Sequence, residues 1–176
     1  MTTSQVGNVL QNERTAKAQK VTTQPDGPGL RIGKRGVISG IAPLVPGGAR
    51  MFRERLPQFQ AEAAYWEDRV GTVHEFHMFL LDNDTKVFFT VVFDGDFKTY
   101  IDDLKNKAAP WFDNLFLGVA DGYPGFNDPG FVEWFGKYVI SSEFFFASYP
   151  EATCSDVKKA LRVQGAFEHL LDEAQS

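Results

Sequence analysis

The stretch VGTVHEFHMFLL (70–81), the link Asp82-Asn83-Asp84-Thr85 and the stretch KVFFTVVFD (86–94) decide how this chain folds. Two β-rich apolar runs around Asn and Asp predict a β-hairpin. With Asn83 and Asp84 as the turn, His74 faces Phe93, Phe76 faces Val91, Met78 faces Phe89 and Leu80 faces Val87. That face is apolar except for His74. The opposite face pairs Glu75 with Val92, His77 with Thr90 and Phe79 with Phe88. A slip of one residue exchanges the two faces, because side chains alternate along a strand.

Upstream, GVISGIAPLV (36–45) is β-branched and apolar and stops at Pro46-Gly47-Gly48, a buried strand and a turn. Phe52, Leu56, Phe59, Ala63, Trp66 and Val70 then form one apolar helical stripe. Pro57 lies within it and predicts a kink or a split, since proline removes a backbone donor. Downstream, Asp94-Gly95-Asp96 opens a second helix carrying Phe97, Tyr100, Ile101 and Leu104. Lys105 and Lys107 favour its C-terminal dipole, and Ala108-Ala109-Pro110 end it. Residues 110–136 read as an aromatic-rich insertion with a short helix from about 129 to 136, started by Asp128-Pro129. KYVISSEFFFASYP (137–150) reads as a fourth strand. Thr153-Cys154-Ser155-Asp156 resembles a capping box, followed by Val157, Ala160, Leu161, Phe167, Leu170 and Leu171 on a last amphipathic helix.

This order predicts an α+β fold. Its core is a ferredoxin-like, four-stranded antiparallel sheet with helices on one face, an aromatic insertion and an extra C-terminal helix. The strands are apolar on both faces, and an apolar open face is not left to water. A second copy, sheet against sheet, buries it as a two-fold homodimer. The aromatic insertion folding over it is the alternative.

The chain has 176 residues, 43% hydrophobic and 23% charged, enough for one domain with a core of its own. No run of 18 apolar residues predicts a membrane span, and the N-terminus lacks a secretory apolar segment. The single cysteine, Cys154, makes no disulfide within the chain, and a cytoplasmic location is expected. The net charge is −5. Residues 1–35 carry Arg14, Lys17, Lys20, Arg31, Lys34 and Arg35 against Glu13 and Asp26, so the remainder is acidic. Residues 1–34, without aromatics, read as a partly disordered arm, and 35–176 as the single domain. Sparse positive charge on an acidic body argues against nucleic acid.

At these residues the chain resembles the dimeric α+β barrel superfamily of ferredoxin-like proteins, which includes small monooxygenases, chlorite-dismutase-like haem proteins and dye-decolourising peroxidases. More narrowly, it is similar to a largely uncharacterised bacterial family. The shared motifs are Pro46-Gly47-Gly48, Val70-Gly71-Thr72-Val73-His74, Phe93-Asp94-Gly95-Asp96 and Ser148-Tyr149-Pro150. The likeness covers about residues 36–171 and implies fold and dimerisation more than chemistry. Gly118-Val119-Ala120-Asp121-Gly122 fits the G-x-x-D-G pattern that carries the distal acid of dye-decolourising peroxidases. This implies haem as a possible cofactor, with Asp121 above it. The chain departs from that family in having one domain and three histidines. The plain reading of Asp121 is an Asp-Gly loop turn.

His77 and Glu75 project from one strand face, so the carboxylate is placed to make the imidazole a general base, with Thr90 beside them. With Glu143 they could begin a metal site; otherwise they line an interface. His74 is either a haem or small-molecule ligand or a core histidine satisfied by a carbonyl. Trp111 and Tyr149 are candidate ligand-binding aromatics, and strand-end packing is the plain reading of Tyr149. Asp94 and Asp96 read as turn and cap, Asp102-Asp103 and His169 as solvated, and Cys154 as a helix-start bystander. Nucleophile-elbow, phosphate-loop and zinc-protease motifs are absent. Three readings result. The chain is a dimer that binds a hydrophobic small molecule or a partner on its sheet face, a small monooxygenase-type oxidoreductase, or a haem protein with His74 or His77 proximal.

Overall fold

A computed structural model describes residues 20–175. The first 19 residues of the expected arm lie outside the described residues. Among the described residues the fold is α+β, with six antiparallel strands in one sheet and five helices. In chain order these are β1 (Val21–Thr23), β2 (Leu30–Ile32), β3 (Arg35–Pro43), α1 (Gly48–Val70), β4 (Val73–Leu81) and β5 (Lys86–Asp94). Then follow α2 (Phe97–Lys107), α3 (Ala109–Phe116), α4 (Phe131–Tyr138), β6 (Val139–Ile140) and α5 (Cys154–Gln175). The strands lie in the order β1-β2-β3-β5-β4, with β6 also paired to β3.

Two expectations about the sheet are corrected. Residues 20–34 were read as arm, yet they contain β1 and β2. Ile32 is almost fully buried, Arg31 pairs with Asp96, and the Asp26 carboxylate accepts the Lys98 backbone N–H at 3.1 Å. These contacts offset the ordering entropy that the polar composition alone does not cover. The expected strand over 137–150 is reduced to Val139–Ile140, paired with Gly40 and Ser39. Lys137 and Tyr138 finish α4. Beyond Ser39, the same edge of β3 is already occupied by β2, which pairs with Arg35–Val37. Residues 141–150 therefore have no ladder to join.

Strand pairing sorts the side chains into two faces. Ile38–Val91–Phe76, Gly40–Phe89–Met78 and Ala42–Val87–Leu80 run across β3, β5 and β4 on the core face. Gly40 is required there, because a Cβ would stand 2.5 Å from the Phe89 ring. The outer face carries Val37–Val92–Glu75, Ser39–Thr90–His77 and Ile41–Phe88–Phe79. Helices α1 to α4 supply the other side of the core.

The expected stripe of α1 turns Phe52, Phe59 and Val70 into the core, with Leu56, Ala63 and Trp66 packed against it. Pro57 does not split the helix, and its side chain is exposed. Gly71 ends it in the left-handed conformation (φ 74°) and donates its N–H to Glu67 at 2.7 Å. The aromatic segment forms α3 and α4 and packs inward: Trp111, Phe112, Phe126 and Phe131 are buried. It lies with the other helices on the core side, so it does not cover the outer face.

The hairpin link adopts left-handed backbone at Asp82, Asn83 and Asp84 (φ 50°, 53° and 68°), a four-residue loop where a two-residue turn was expected. Asp and Asn tolerate that conformation best among residues with a side chain. Arg53 of α1 clamps Asp84 with two bonds of 2.7 and 2.8 Å.

The C-terminal segment closes on the start of β3. The Lys34 N–H donates to the Pro150 carbonyl and the Arg35 guanidinium to the Ala152 carbonyl, both at 2.9 Å. Thr153 and Asp156 then form the expected capping box. The Asp156 N–H donates to the Thr153 hydroxyl, and the Thr153 N–H to the Asp156 carboxylate. In α5 only Cys154 is buried; every later described residue is exposed.

Candidate functional site

Three places collect the residues singled out from sequence. The first is the outer sheet face. His77 Nε2 lies 3.6 Å from Glu75 Oε2, and both are open to solvent, at 53% and 68% side-chain exposure. The His77 ring stacks on Phe79, and Phe79 contacts Phe88. Thr90 accepts a hydrogen bond from Ser39 Oγ at 3.0 Å, so its hydroxyl is committed within the sheet. The expected pairings Glu75–Val92, His77–Thr90 and Phe79–Phe88 are those observed. The His–carboxylate pair therefore has its expected placement, in an open setting.

The second place is the core side. An apolar cavity of about 70 Å³ lies between the sheet and α2 to α4, lined by Ile38, Phe76, Phe89, Leu104, Phe126 and Phe135 among others. Its walls offer water almost nothing to bind, so it suits apolar matter. Tyr123 reaches it, but its hydroxyl donates to Asp113 at 2.8 Å; burial and that carboxylate together hold the phenol protonated. Trp111 does not line this cavity. It is a core residue, stacked on Phe59 with ring centroids 3.9 Å apart, and its indole N–H donates to the Phe59 carbonyl at 2.9 Å. Tyr149 is exposed on the segment before α5 and lines no described cavity.

The third place was not recognised as a unit in the sequence. A β-bulge between Val73 and Glu75 sets Val73, not His74, opposite Phe93. This corrects the expected His74–Phe93 pair and re-aims the imidazole. His74 Nε2 lies 2.7 Å from Asp94 Oδ1, while Asp94 Oδ2 accepts the Cys154 backbone N–H at 2.7 Å. The Cys154 thiol donates to the Val73 carbonyl at 3.2 Å. His74 and Asp94 side chains are only 11% and 10% exposed, and Cys154 is 7% exposed. Burial, with the Asp94 carboxylate adding to it, pushes the Cys154 thiol up to about 12. As it stands the thiol is protonated at neutral pH and is not a nucleophile. Glu67, half-buried at the end of α1, is pushed up by burial to about 7.

His74 and Asp121 do not come together. Asp94, bonded to His74, pairs with Arg35 at the start of β3, whereas the Asp121 N–H donates to the Pro43 carbonyl at its end. Eight residues at about 3.3 Å each separate the two ends by about 26 Å. A haem held by His74 with Asp121 as its distal acid does not fit these residues. Asp121 is an exposed loop residue whose carbonyl accepts the Trp134 indole N–H at 2.9 Å.

The sequence signal for the third place was faint. His74, near the start of β4, and Asp94, at the end of β5, lie at the same end of neighbouring strands, but the bulge hides their proximity, and Cys154 arrives from 60 residues further on. Comparison with protein-family models, curated proteins and solved structures returns no match for this chain. Among the described residues no helix is long and apolar enough to cross a membrane.

Proposed function

We propose that this chain is a ferredoxin-like association module. It works as a two-fold homodimer, burying the outer sheet face and the apolar side of α5 and holding small hydrophobic matter between them. The observation that carries this reading is α5 itself. It has 22 residues, of which only the first is buried, yet Leu161 and Phe167 are 62% and 59% exposed, and Val157, Leu170 and Leu171 are exposed with them. A free helix with such a face is not stable on propensity alone and needs a partner. Phe79, Phe144 and Phe146 add exposed aromatics on the body. The ferredoxin-like reading is supported by the order β6-β3-β5-β4, with α1 between β3 and β4 and α1 to α4 packed on the core face.

A second copy is favoured as the partner by charge. The first half of α5 carries Lys158, Lys159 and Arg162 against Asp156, and the second half carries Glu168, Asp172 and Glu173 without Lys or Arg. Two such helices antiparallel across a two-fold axis set unlike charges opposite each other. The test is the mass in solution by light scattering, for the wild type and for Leu161→Asp with Phe167→Asp. The wild type is expected at twice 19.7 kDa and the double variant at the single-chain mass with an unchanged circular dichroism spectrum. A wild type that stays at one chain mass at tens of micromolar overturns the reading.

A second reading rests on the His77–Glu75 pair. Once a partner encloses the outer face, the pair has the composition of an acid–base site, consistent with a small monooxygenase-type oxidoreductase. Glu75→Ala and His77→Ala separate the two. Loss of a ligand-dependent turnover with dimer and melting temperature retained favours chemistry, and loss of the dimer alone favours association.

A further inference from the structure

We propose that His74, Asp94 and Cys154 form a binding site for one divalent zinc-type ion at the junction of β4, β5 and α5. A ring nitrogen of His74, a carboxylate oxygen of Asp94 and the Cys154 sulfur all lie within 4.8 Å of one another. Ligand atoms around a tetrahedral zinc ion, about 2.0–2.3 Å from the metal, stand roughly 3.3–3.6 Å apart. The three donors are therefore close to a ligating arrangement, and small side-chain rotations close it. Nitrogen, carboxylate and thiolate donors together match zinc rather than calcium or magnesium, which prefer oxygen alone.

Charge argues the same way. All three side chains are about nine-tenths buried. When the ion binds, the thiol releases its proton to solvent and a metal–sulfur bond forms. One carboxylate and one thiolate then balance the two positive charges, leaving a neutral site, the form a buried location tolerates. A support for the ligands is already present. The Cys154 N–H holds Asp94 Oδ2 at 2.7 Å, so Oδ1 is presented toward His74. Thr72 Oγ1 is buried without a hydrogen-bond partner, two residues from His74. Its backbone carbonyl accepts the Asp94 N–H at 2.8 Å. The three protein ligands leave the fourth tetrahedral position to a water.

The site ties the first residue of α5 to the sheet, and it is independent of the dimer proposed above. The experiment uses the full chain stripped with a chelator and titrated with cobalt(II), then zinc. One cobalt per chain is expected, with a thiolate-to-cobalt charge-transfer band in the near ultraviolet that zinc abolishes. Cys154→Ser is expected to lose that band and His74→Gln to lose stoichiometric binding, while His169→Gln keeps both. If either ligand variant fails to fold, X-ray absorption of the zinc-loaded wild type decides, one sulfur neighbour at about 2.3 Å being expected. Absence of one-to-one uptake, a charge-transfer band that survives Cys154→Ser, or a zinc shell without sulfur overturns the proposal.

Discussion

The Asp94 carboxylate accepts the backbone N–H of Cys154 at 2.7 Å and thereby fastens the start of α5 to the end of β5. The same carboxylate is 2.7 Å from His74 Nε2. Asp94→Ala leaves a nearly buried imidazole and a helix-start N–H without their acceptor. The expected loss of stability is about 3 kcal/mol, since bonds to charged groups are the stronger ones and their buried partners are left unpaired. Urea unfolding in the presence of a chelator measures it, and Asp94→Asn, which keeps the shape, is expected to lose about half as much.

Glu67 gives the chain a pH dependence with a definite sign. Burial raises its folded pKa from the ordinary 4.5 to about 7, with Lys158 opposing. The folded state therefore holds more protons than the unfolded chain between those values, and stability falls as pH rises through that window. Glu67→Gln is expected to flatten the slope and to stabilise the protein at pH 8 by about 1 kcal/mol, after allowance for solvent screening of a half-buried group. Melting temperatures of both proteins from pH 4.5 to 8 check this.

Trp111 belongs to the core, so its replacement is costly for stability. Trp111→Ala removes the stack on Phe59 and the indole bond to the Phe59 carbonyl. A loss of about 3–5 kcal/mol is expected from cavity formation. Tyr65, exposed on α1, is the control: Tyr65→Ala is expected within about 0.5 kcal/mol of wild type by denaturant unfolding.

Asp26 caps a helix it does not adjoin in sequence. Its carboxylate accepts the Lys98 N–H at the start of α2, where Asp96, the residue before the helix, is turned to Arg31 instead. Asp26→Ala is expected to destabilise the protein by about 1 kcal/mol, read as a shift in urea midpoint at unchanged slope.

The hairpin was legible because two β-rich runs flank, within a short local window, a link rich in residues that accept left-handed backbone. All predicted pairs from Glu75–Val92 to Leu80–Val87 occur. The α1 stripe and the Thr153–Asp156 box were legible for the same reason, since both are local patterns of fixed spacing. What was hidden is non-local. β1 and β2 are three residues each, too short to show periodicity, and they are held by Arg31 and Asp26 reaching α2. The 137–150 run is β-rich in composition, yet the edge it would join is taken by β2, a competition no local window reveals. The His74–Asp94–Cys154 cluster depends on a bulge, which local alternation does not encode.

The bonds from Lys34 to Pro150 and from Arg35 to Ala152 join the start of β3 to the segment just before α5. During synthesis on a ribosome, β1 to β5 emerge well before residues 150–154. Until those residues clear the exit tunnel, Asp94 waits without the Cys154 N–H, and the start of β3 lacks its clasp. The nascent domain thus reaches its native state only after residues 150–154 have emerged. Over that interval its unpaired strand edges are open to aggregation and in need of chaperone cover.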